Sequence, residues 1–576
     1  MKTFCGIVLV IIVISLFSYC KKSKINEPPP GNIDTTSVNP QVDPPLANTI
    51  GFFMDDWTNK NFSIPTVTSG GSIPVNANVT VTIDRSAVIT KIPRSIAGNN
   101  SNIWMTQLVT EPGLLDHIST IHPHIIRFPG GSISDIFFWN AQPNIPPSDV
   151  PAQLVNANGT VSTAGYWYGK NTASWTLSVD NYYAMLQQTN NQGMITINYG
   201  YARYGTGPDP VSSAAHLAAD WIRYDNGRTK FWEIGNENFG DWEAGYRINT
   251  ANNRDGQPEY LSGQLYGQHF KIFVDSMKKA ALEIGKTIYI GAVLSESAPQ
   301  PWWTLTASQW NIGLLNVAGN TPDFFIVHNY YTNYLTNASA GEILNTPVPV
   351  TGTMMNYVKQ SITNAGLIQK PVILGEWNIF SVGSKQQVSH INGLHAVMVL
   401  GESLKNKFGM TARWDLANGW DNGNDHGMFN IGDEPDGVPK WNPRPAFYHM
   451  YFFQKYLGDR LVTSTSTSTD IISYASSFTS GETAVTLVNK APDPKSVEIT
   501  FKNFKKGVNY YWYVLTGGTD NGEFSRKTFV NDVGPSVASG GPANYKTINP
   551  FASSTGGGVK VYVPARSVVF VIVDKK

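Results

Sequence analysis

Two glutamates, each at the end of a short apolar stretch, constrain the fold of this chain most strongly. Glu237 follows Phe231–Gly235 in the sequence FWEIGNENFGDWE, and Glu376 follows the apolar residues of PVILGEWNI. Both stretches are typical of buried strands. Since the carboxyl ends of parallel strands form the active face of an α/β barrel, acids there are candidates for catalysis. They share one site only if the chain between them folds back repeatedly, as βα units do.

A pair of carboxyl groups at one site suits cleavage of a glycosidic bond. One acid protonates the departing oxygen, while the other attacks the anomeric carbon or activates a water to do so. Their surroundings divide the two roles by raising one pKa and keeping the other acid ionised. The alternative is that both glutamates cap helices that follow their strands, because acids stabilise helix N-termini.

Short apolar runs alternate with helical stretches from Arg94 to about Gly458. One helical stretch, from Tyr266 to Ile284, has apolar residues spaced for one buried face. Eight strands that alternate with helices predict an α/β fold, a (β/α)8 TIM barrel over residues 94–458. The candidate strands are Ser95–Gly98, Ile125–Phe128, Met194–Asn198, Phe231–Gly235, Ile288–Gly291, Phe324–Val327, Val372–Gly375 and Thr411–Trp414.

The carboxyl-terminal region, residues 459–576, is rich in alternating β-branched residues and predicts a β-sandwich. Residues 48–93 are expected to complete it, with two or three strands between Gly71 and Ile92. Thr463–Asp470 is interpreted as a loop. The predicted strands are Ile471–Tyr474, Ala484–Val488, Ser496–Thr500, Tyr510–Val514, Val559–Val563 and Val568–Val573.

The amino terminus has the pattern of a secretory leader. The apolar run Gly6–Phe17 is short for a membrane span, and Cys20 follows it as in bacterial lipoproteins, although Tyr19 replaces the usual small residue. We expect a signal peptide over residues 1–20, a flexible tether over 21–47, and export across the inner membrane of a bacterium with a lipid anchor at Cys20. A plain signal peptide or an uncleaved anchor remains the alternative.

Composition excludes several classes of function. The only cysteines, Cys5 and Cys20, lie in the leader, so the mature domain has no disulfide, thiolate metal site or cysteine nucleophile. With 42 basic and 42 acidic residues the net charge is zero, which gives no basic field for nucleic acid. We expect a polysaccharide or oligosaccharide as partner and no cofactor.

Four motifs carry a resemblance to a known family. RFPGG (127–131), WEIGNEN (232–238), VHNYY (327–331) and GEWN (375–378) occur in the order seen in retaining (β/α)8 glycoside hydrolases of clan A. The pattern most resembles the α-L-arabinofuranosidases of glycoside hydrolase family 51, over the barrel and the discontinuous sandwich.

The resemblance implies a role for each matching residue. Glu237 would be the general acid/base and Glu376 the nucleophile. Asn236 would bond the sugar 2-hydroxyl, and Tyr330 would donate to the nucleophilic carboxylate. Arg127 would pair with the nucleophile or form a salt bridge inside the barrel.

Further candidates surround this core set. His328 is either a residue that supports the pocket or a hydrogen-bonded core histidine. The remaining candidates for substrate binding are Asn102, Trp377 and Trp420. Other tryptophans with the spacing of sugar-stacking platforms, or of ordinary packing, are Trp302, Trp303 and Trp310.

This sequence departs from the family pattern at three places around the pocket. Gly98–Asn102 lacks the usual sugar-binding glutamate, and Ser132 replaces a common cysteine. After Trp414 comes an unusual loop whose Asp421, Asp425 and His426 are interpreted as a hydrogen-bonded sugar-binding rim rather than as metal ligands. The resemblance therefore predicts an intact cleavage machinery with an open specificity.

Three functions remain in competition. The first is a retaining glycosidase that removes side chains or terminal sugars from plant-type polysaccharide, most like an α-L-arabinofuranosidase. The second is an endo-acting glucanase, xylanase or agarase on the same barrel, and the third is a non-catalytic carbohydrate-binding lipoprotein. The presence of both Glu237 and Glu376 argues against the third.

Overall fold

A computed structural model describes residues 38–45, 50–380, 383, 385–518 and 523–576. Residues 39–576 form one compact unit. The predicted signal peptide, Cys20 and most of the predicted tether lie outside the described residues. None of the helices in the described part of the chain has the length and hydrophobicity needed to cross a membrane.

Eight parallel strands close into a barrel in chain order, which confirms the predicted TIM barrel. The last strand pairs with the first, where Ala412 lies beside Gly98. The first strand begins later than predicted, because Arg94–Ala97 is a 3-10 helix. The strands are Gly98–Asn100, Ile125–Phe128, Gln192–Ile197, Thr229–Ile234, Tyr289–Val293, Phe324–Asn329, Val372–Trp377 and Met410–Arg413.

Gly98 is what lets the barrel close. A Cβ at this position would lie 2.4 Å from the carbonyl oxygen of Thr411 on the last strand. Only glycine therefore allows the two backbones to approach closely enough to pair.

Helices connect the successive barrel strands and cover the barrel. The predicted helix Tyr266–Ile284 is found as Gly263–Glu283. The α-helices are Pro112–Ile121, Val179–Thr189, Gly200–Tyr204, Pro210–Asp225, Gly263–Glu283, Leu305–Ala318, Ala340–Asn345, Pro347–Asn364, His390–Lys405 and Pro445–Tyr456.

A plug at the amino-terminal end of the barrel, Ile50 to Met54, is a feature that the sequence did not predict. Its 3-10 helix Gly51–Met54 packs on apolar residues that begin the barrel strands. Phe53 is 2% exposed, and its ring lies 4.8 Å from that of Phe231. These residues were expected to join the sandwich, so that part of the prediction for residues 48–93 is wrong.

The other main part of the fold is a ten-stranded mixed sheet with its own hydrophobic core, consistent with the predicted β-sandwich. Val79–Lys91 pairs antiparallel with Arg460–Ser466 and parallel with Lys495–Lys502. The strands, in spatial order, are Phe529–Val530, Lys506–Thr516, Ser567–Lys575, Thr483–Asn489, Ile471–Ser477, Arg460–Ser466, Val79–Lys91, Lys495–Lys502 and Val559–Val563, with Phe551–Ser554 beside Lys506–Thr516.

Two details of this sheet correct the sequence analysis. Residues 71–92 contain one strand of 13 residues, Val79–Lys91, rather than two or three. The start of the predicted loop Thr463–Asp470 belongs to a strand, because Thr463 and Ser464 pair with Asp84 and Ile83. Alternating serine and threonine, which looked like loop composition, is compatible with a half-buried strand.

The last part of the predicted tether lies on the body of the protein. The side-chain nitrogen of Gln41 donates to the Ser477 hydroxyl at 2.8 Å. Asp43 forms an ion pair with Arg460 at 2.7 Å. Residues 39–45 are therefore held against the sheet.

Candidate active site

A buried arginine joins the acids that the barrel strands bring together at their carboxyl ends. Arg127, on the second strand, is fully buried. Its Nε donates to Glu233 on the fourth strand at 2.6 Å, and its Nη1 donates to Glu376 on the seventh at 2.7 Å. Both readings of Arg127 from the sequence, the barrel salt bridge and the partner of the candidate nucleophile, hold at once.

Three donors hold the carboxylate of Glu376. Arg127 and the amide nitrogen of Gly131, at 3.2 Å, donate to Oε1, and the Tyr330 hydroxyl donates to Oε2 at 2.8 Å. Tyr330 thus makes the hydrogen bond that the resemblance predicts. Gly131 has φ +63°, and a Cβ there would lie 2.7 Å from the Trp414 ring, so glycine is needed to bring this amide to the carboxylate.

Glu237 lies in the turn after the fourth strand, with both oxygens occupied. Oε1 lies 2.8 Å from His328 Nδ1, and Oε2 accepts from Trp242 Nε1 at 3.1 Å. Its φ of +41° is unusual for a residue with a side chain and aims the carboxyl group back over the barrel.

A buried aspartate, Asp135, fixes this turn. Its Oδ2 accepts from the Asn236 amide at 3.2 Å and from the Asn238 side chain at 2.7 Å. Its Oδ1 accepts from the amides of Tyr199 and Gly200. Burial outweighs these four hydrogen bonds and raises the pKa of Asp135 to about 7.

The two candidate catalytic acids approach each other closely. A carboxyl oxygen of Glu237, a ring nitrogen of His328 and a carboxyl oxygen of Glu376 all lie within 4.8 Å of one another. Such a triad has the donor types of a metal site. However, the Arg127 cation already bonds Glu376, and His328 Nδ1 is engaged with Glu237, so the arrangement is better suited to holding a proton than a divalent ion.

His328 and Glu237 shift each other's pKa in opposite directions. Burial lowers the pKa of His328. The charge of Glu376 and the hydrogen bond and charge of Glu237 have the opposite and larger effect, so the net pKa is above its usual range. Burial raises the pKa of Glu237, but the hydrogen bond and charge of His328 outweigh burial and lower it. In the unliganded pair these shifts favour the state in which the shared proton resides on His328 and Glu237 is ionised.

Asn236 is anchored from two sides. Its Oδ1 accepts from Arg127 Nη2 at 2.8 Å, and its Nδ2 donates to Glu243 at 2.9 Å. Ser132, where the family commonly has cysteine, donates to the same oxygen of Glu243 at 2.8 Å. Burial, followed by the charges of Asp135 and Glu237, raises the pKa of Glu243 well above its usual range, which favours the neutral form of this carboxyl group.

On the other side of the site, Asn102 contacts an acid that follows the last strand. Its Nδ2 donates to Asp415 Oδ2, while Asn102 Oδ1 and Asp415 Oδ1 are buried without a partner among the described residues. Burial and then the charge of Asp425 raise the pKa of Asp415 well above its usual range. An acid thus lies beside the first strand, although Gly98–Asn102 itself contains none.

The candidate tryptophans separate into buried and accessible rings. Trp377 and Trp310 are fully buried, so neither presents a face to a bound sugar. Trp420 is half-buried, with its ring centroid 5.3 Å from the Arg526 guanidinium and 5.9 Å from that of Arg444. Trp302 is 78% exposed.

The loop after Trp414 is held by ion pairs. Asp425 is fully buried and pairs with Arg444 at 2.6 Å. The backbone carbonyl of His426 accepts from Arg413 at 2.9 Å. These contacts hold the loop in place, and the sugar-binding role expected for this rim stays a prediction.

Several residues of the site had no role predicted from the sequence, namely Asn100, Asp135, Glu233, Trp242, Glu243 and Asp415. Alternation along the fourth strand could have indicated Glu233, which sits two residues before Gly235. Trp242 and Glu243 belong to the stretch FWEIGNENFGDWE, but their contacts depend on how the turn folds back. Asp415 meets Asn102 only because the barrel closes.

No protein-family model and no curated protein matches this sequence. Solved structures match over most of its length. An α-L-arabinofuranosidase from Thermotoga maritima is 16% identical with a TM-score of 0.57, over 86% of this chain and 100% of that chain. A family 51 arabinofuranosidase from Xanthomonas axonopodis pv. citri is 14% identical with a TM-score of 0.60, over 87% and 100%. A family 44 xyloglucanase from Paenibacillus polymyxa is 11% identical with a TM-score of 0.53, over 86% and 99%. At such identities the likeness shows a shared fold.

Proposed function

We propose that this protein is a retaining glycoside hydrolase that acts on plant-type polysaccharide or oligosaccharide. The observation that carries the proposal is the approach of Glu237 and Glu376, which have oxygens within 4.8 Å of each other. Retaining enzymes hold their two carboxyl groups about 5–5.5 Å apart, whereas inverting enzymes need about 6.5–9.5 Å to admit a water.

In the first step, Glu376 attacks the anomeric carbon while the glycosidic oxygen departs. Arg127, Gly131 and Tyr330 fix the carboxylate in the attacking position. Glu237 protonates the leaving oxygen with the proton that it shares with His328. When Glu376 becomes an ester its negative charge disappears, and with it the largest contribution that raises the pKa of His328. The proton is therefore released to the leaving group as the covalent bond forms.

In the second step, the Glu237–His328 pair takes a proton back. Glu237 accepts it from a water that attacks the anomeric carbon, and Glu376 leaves as a carboxylate. The restored charge of Glu376 then raises the pKa of His328 again. One proton thus cycles between the pair and the substrate.

An α-L-arabinofuranosidase-like activity is the first candidate. It is supported by the four motifs in the sequence and by the fold shared with arabinofuranosidases. An endo-acting glucanase, xylanase or agarase is the second candidate. It is favoured by the exposed tryptophans beside Glu237 and by the fold shared with a bifunctional glucanase-xylanase, which is 13% identical with a TM-score of 0.56.

A panel of aryl glycosides and purified polysaccharides tests the proposal, with nuclear magnetic resonance of the first-formed anomer. We expect a retained configuration, loss of turnover in Glu376→Gln, and a loss of about 10²–10⁴-fold in Glu237→Ala. Both variants should still bind the sugar. An inverted first product would contradict the role of Glu376, and sugar binding without turnover in the wild type would indicate the non-catalytic binding protein.

The leader supports a second proposal, that the protein is exported and anchored by a lipid on Cys20. Labelling of the expressing bacterium with a radioactive fatty acid tests it. We expect label in the wild type and none in Cys20→Ser, and label in both would contradict the anchor site.

A further inference from the structure

A groove lined by aromatic side chains lies beside Glu237. We call it the aromatic groove and define it by Phe239, Trp242, Glu296, Trp302 and Trp303. Its volume is about 310 Å³. Trp242 is 61% exposed and Trp302 is 78% exposed, although large aromatic side chains are usually buried.

The position of the groove follows from the two oxygens of Glu237. Oε1 is bonded to His328, whose Nδ1 lies 3.9 Å from Glu376 Oε1. Oε2 is bonded to Trp242, a wall of the groove, at 3.1 Å. A general acid protonates the leaving oxygen, so a groove on this side of the acid faces the part of the substrate that departs first.

Packing contacts hold the side chains that form the walls of the groove in place. The Trp242 ring lies over Gly240, where a Cβ would be 2.3 Å from the indole. Phe239 packs edge-on against Trp242 and against the buried ring of Trp310, each at 6.2 Å. The turn before the helix Leu305–Ala318, which begins with a Thr304 cap, carries the remaining tryptophans.

The chemistry of the groove suits a sugar ring. Indole faces pack against the C–H face of a pyranose or furanose, and a carboxyl group bonds its hydroxyls. Glu296 supplies that carboxyl group at the groove wall. Burial and then the charge of Glu237 raise its pKa to about 7, so near neutral pH it both donates and accepts.

We propose that the aromatic groove is the leaving-group subsite and that it holds one or two sugar rings of a carbohydrate chain. The inference rests on the proposed function, because it assumes that Glu237 is the acid. The volume of the aromatic groove lies at the lower end of the range for ligand pockets, about 300–1,000 Å³, which limits the number of sugar rings that it can hold. The substrate is then a glycoside whose leaving group is itself a saccharide.

Paired substrates of one sugar test the subsite, because only one of each pair has a saccharide as leaving group. The pairs are 4-nitrophenyl α-L-arabinofuranoside with α-1,5-arabinotriose, and 4-nitrophenyl β-xylobioside with xylotetraose. For Trp302→Ala and Trp303→Ala we expect kcat/KM on the oligosaccharide to fall about 3- to 10-fold, as the loss of one aromatic contact predicts. On the aryl glycoside it should stay within about twofold.

Two further variants make the result specific. Gly240→Ala should lower kcat/KM on both substrates of a pair, unlike the Trp302 and Trp303 variants, because the new Cβ displaces the Trp242 ring, which also donates to Glu237. Trp175→Ala is the matched control, since Trp175 is 55% exposed but does not line the groove. It should leave the ratio of the two kcat/KM values unchanged.

The outcomes separate the two proposals. If Trp302→Ala and Trp303→Ala lose kcat/KM equally on both substrates of a pair, or on neither, the subsite is overturned while the proposed hydrolase activity stands. A wild type that hydrolyses no glycoside would overturn the proposed function and the subsite with it.

Discussion

At the scale of single residues, Arg127 organises the site because its guanidinium bonds four side chains. It donates to Glu233, Glu376, Asn236 and Asn100 at distances between 2.6 and 2.9 Å. A lysine in its place keeps the charge but has no planar fork.

We therefore predict that Arg127→Lys lowers both activity and stability. Lysine keeps the charge but cannot bond all four side chains at once, and each buried oxygen left without a donor costs about 1–3 kcal/mol. Steady-state kinetics and thermal unfolding by circular dichroism measure the two effects. A variant with wild-type kcat would contradict the positioning role of the guanidinium.

The shared proton predicts a pH dependence. The pKa of His328 is raised, so the pair keeps its proton above about pH 6.5 and loses it as the pH rises through the raised value. Activity should then fall on the alkaline side. In His328→Gln the proton has only Glu237 to hold it, and the alkaline limb of kcat should move to lower pH. An unchanged pH profile would exclude the shared proton.

Glu243 gives a test that distinguishes charge from hydrogen bonding. The pKa of its carboxyl group is raised well above the usual range, and one oxygen accepts from both Ser132 and Asn236, so we expect glutamine to replace it. We predict activity within about threefold of wild type for Glu243→Gln and a loss of about tenfold or more for Glu243→Ala, which frees Asn236. Similar losses in both variants would mean that the group works as an anion.

At the level of helices and strands, the features that depend on neighbouring residues could be predicted from the sequence. Most of the barrel strands are short apolar runs between turn residues, although the first strand, Gly98–Asn100, is not. The catalytic candidates Glu237 and Glu376 lie at or just after strand ends, so local sequence patterns could identify them. The plug could not be predicted, because Ile50 to Met54 is a short apolar run without helical or strand periodicity. Its packing partners, such as Phe231, are also far away in the sequence. The contact of Asp415 with Asn102 was missed for the same reason.

The plug predicts a stability effect separate from catalysis. Phe53→Ala removes a buried ring at the end of the barrel opposite the acids, which typically costs about 3–5 kcal/mol. Chemical denaturation should show this loss while kcat of the folded protein is unchanged. Ile64→Ala, at a position 64% exposed, is the control and should change stability by less than about 0.5 kcal/mol.

At the scale of the whole molecule, the barrel and the sheet depend on each other. The helix His390–Lys405 is buried along nearly all its length, because it lies against the barrel and also contacts the sheet. The ring of His390 bonds the carbonyl of Arg566, and the Tyr474 hydroxyl donates to Glu402 at 3.0 Å. A barrel that ends at the predicted domain boundary, residue 458, would therefore lack contacts that its helices make with the sheet.

We predict that residues 94–458 expressed alone are insoluble or aggregate. Without the sheet, the helices His390–Lys405 and Pro445–Tyr456 expose apolar surface. Residues 39–576 should be soluble and monodisperse by size-exclusion chromatography. A soluble, cooperatively unfolding fragment would show that the barrel is autonomous.

The strand Val79–Lys91 has a consequence for biosynthesis. Val81 pairs with Ser466 and with Ile499, and both neighbours are synthesised long after it. Until they emerge, the nascent polypeptide carries an unmatched β-edge, the kind of surface on which chains associate with one another. Late truncations should therefore be cleared by proteases or form inclusion bodies, because each unfinished chain presents this edge to its copies until the last strands are made.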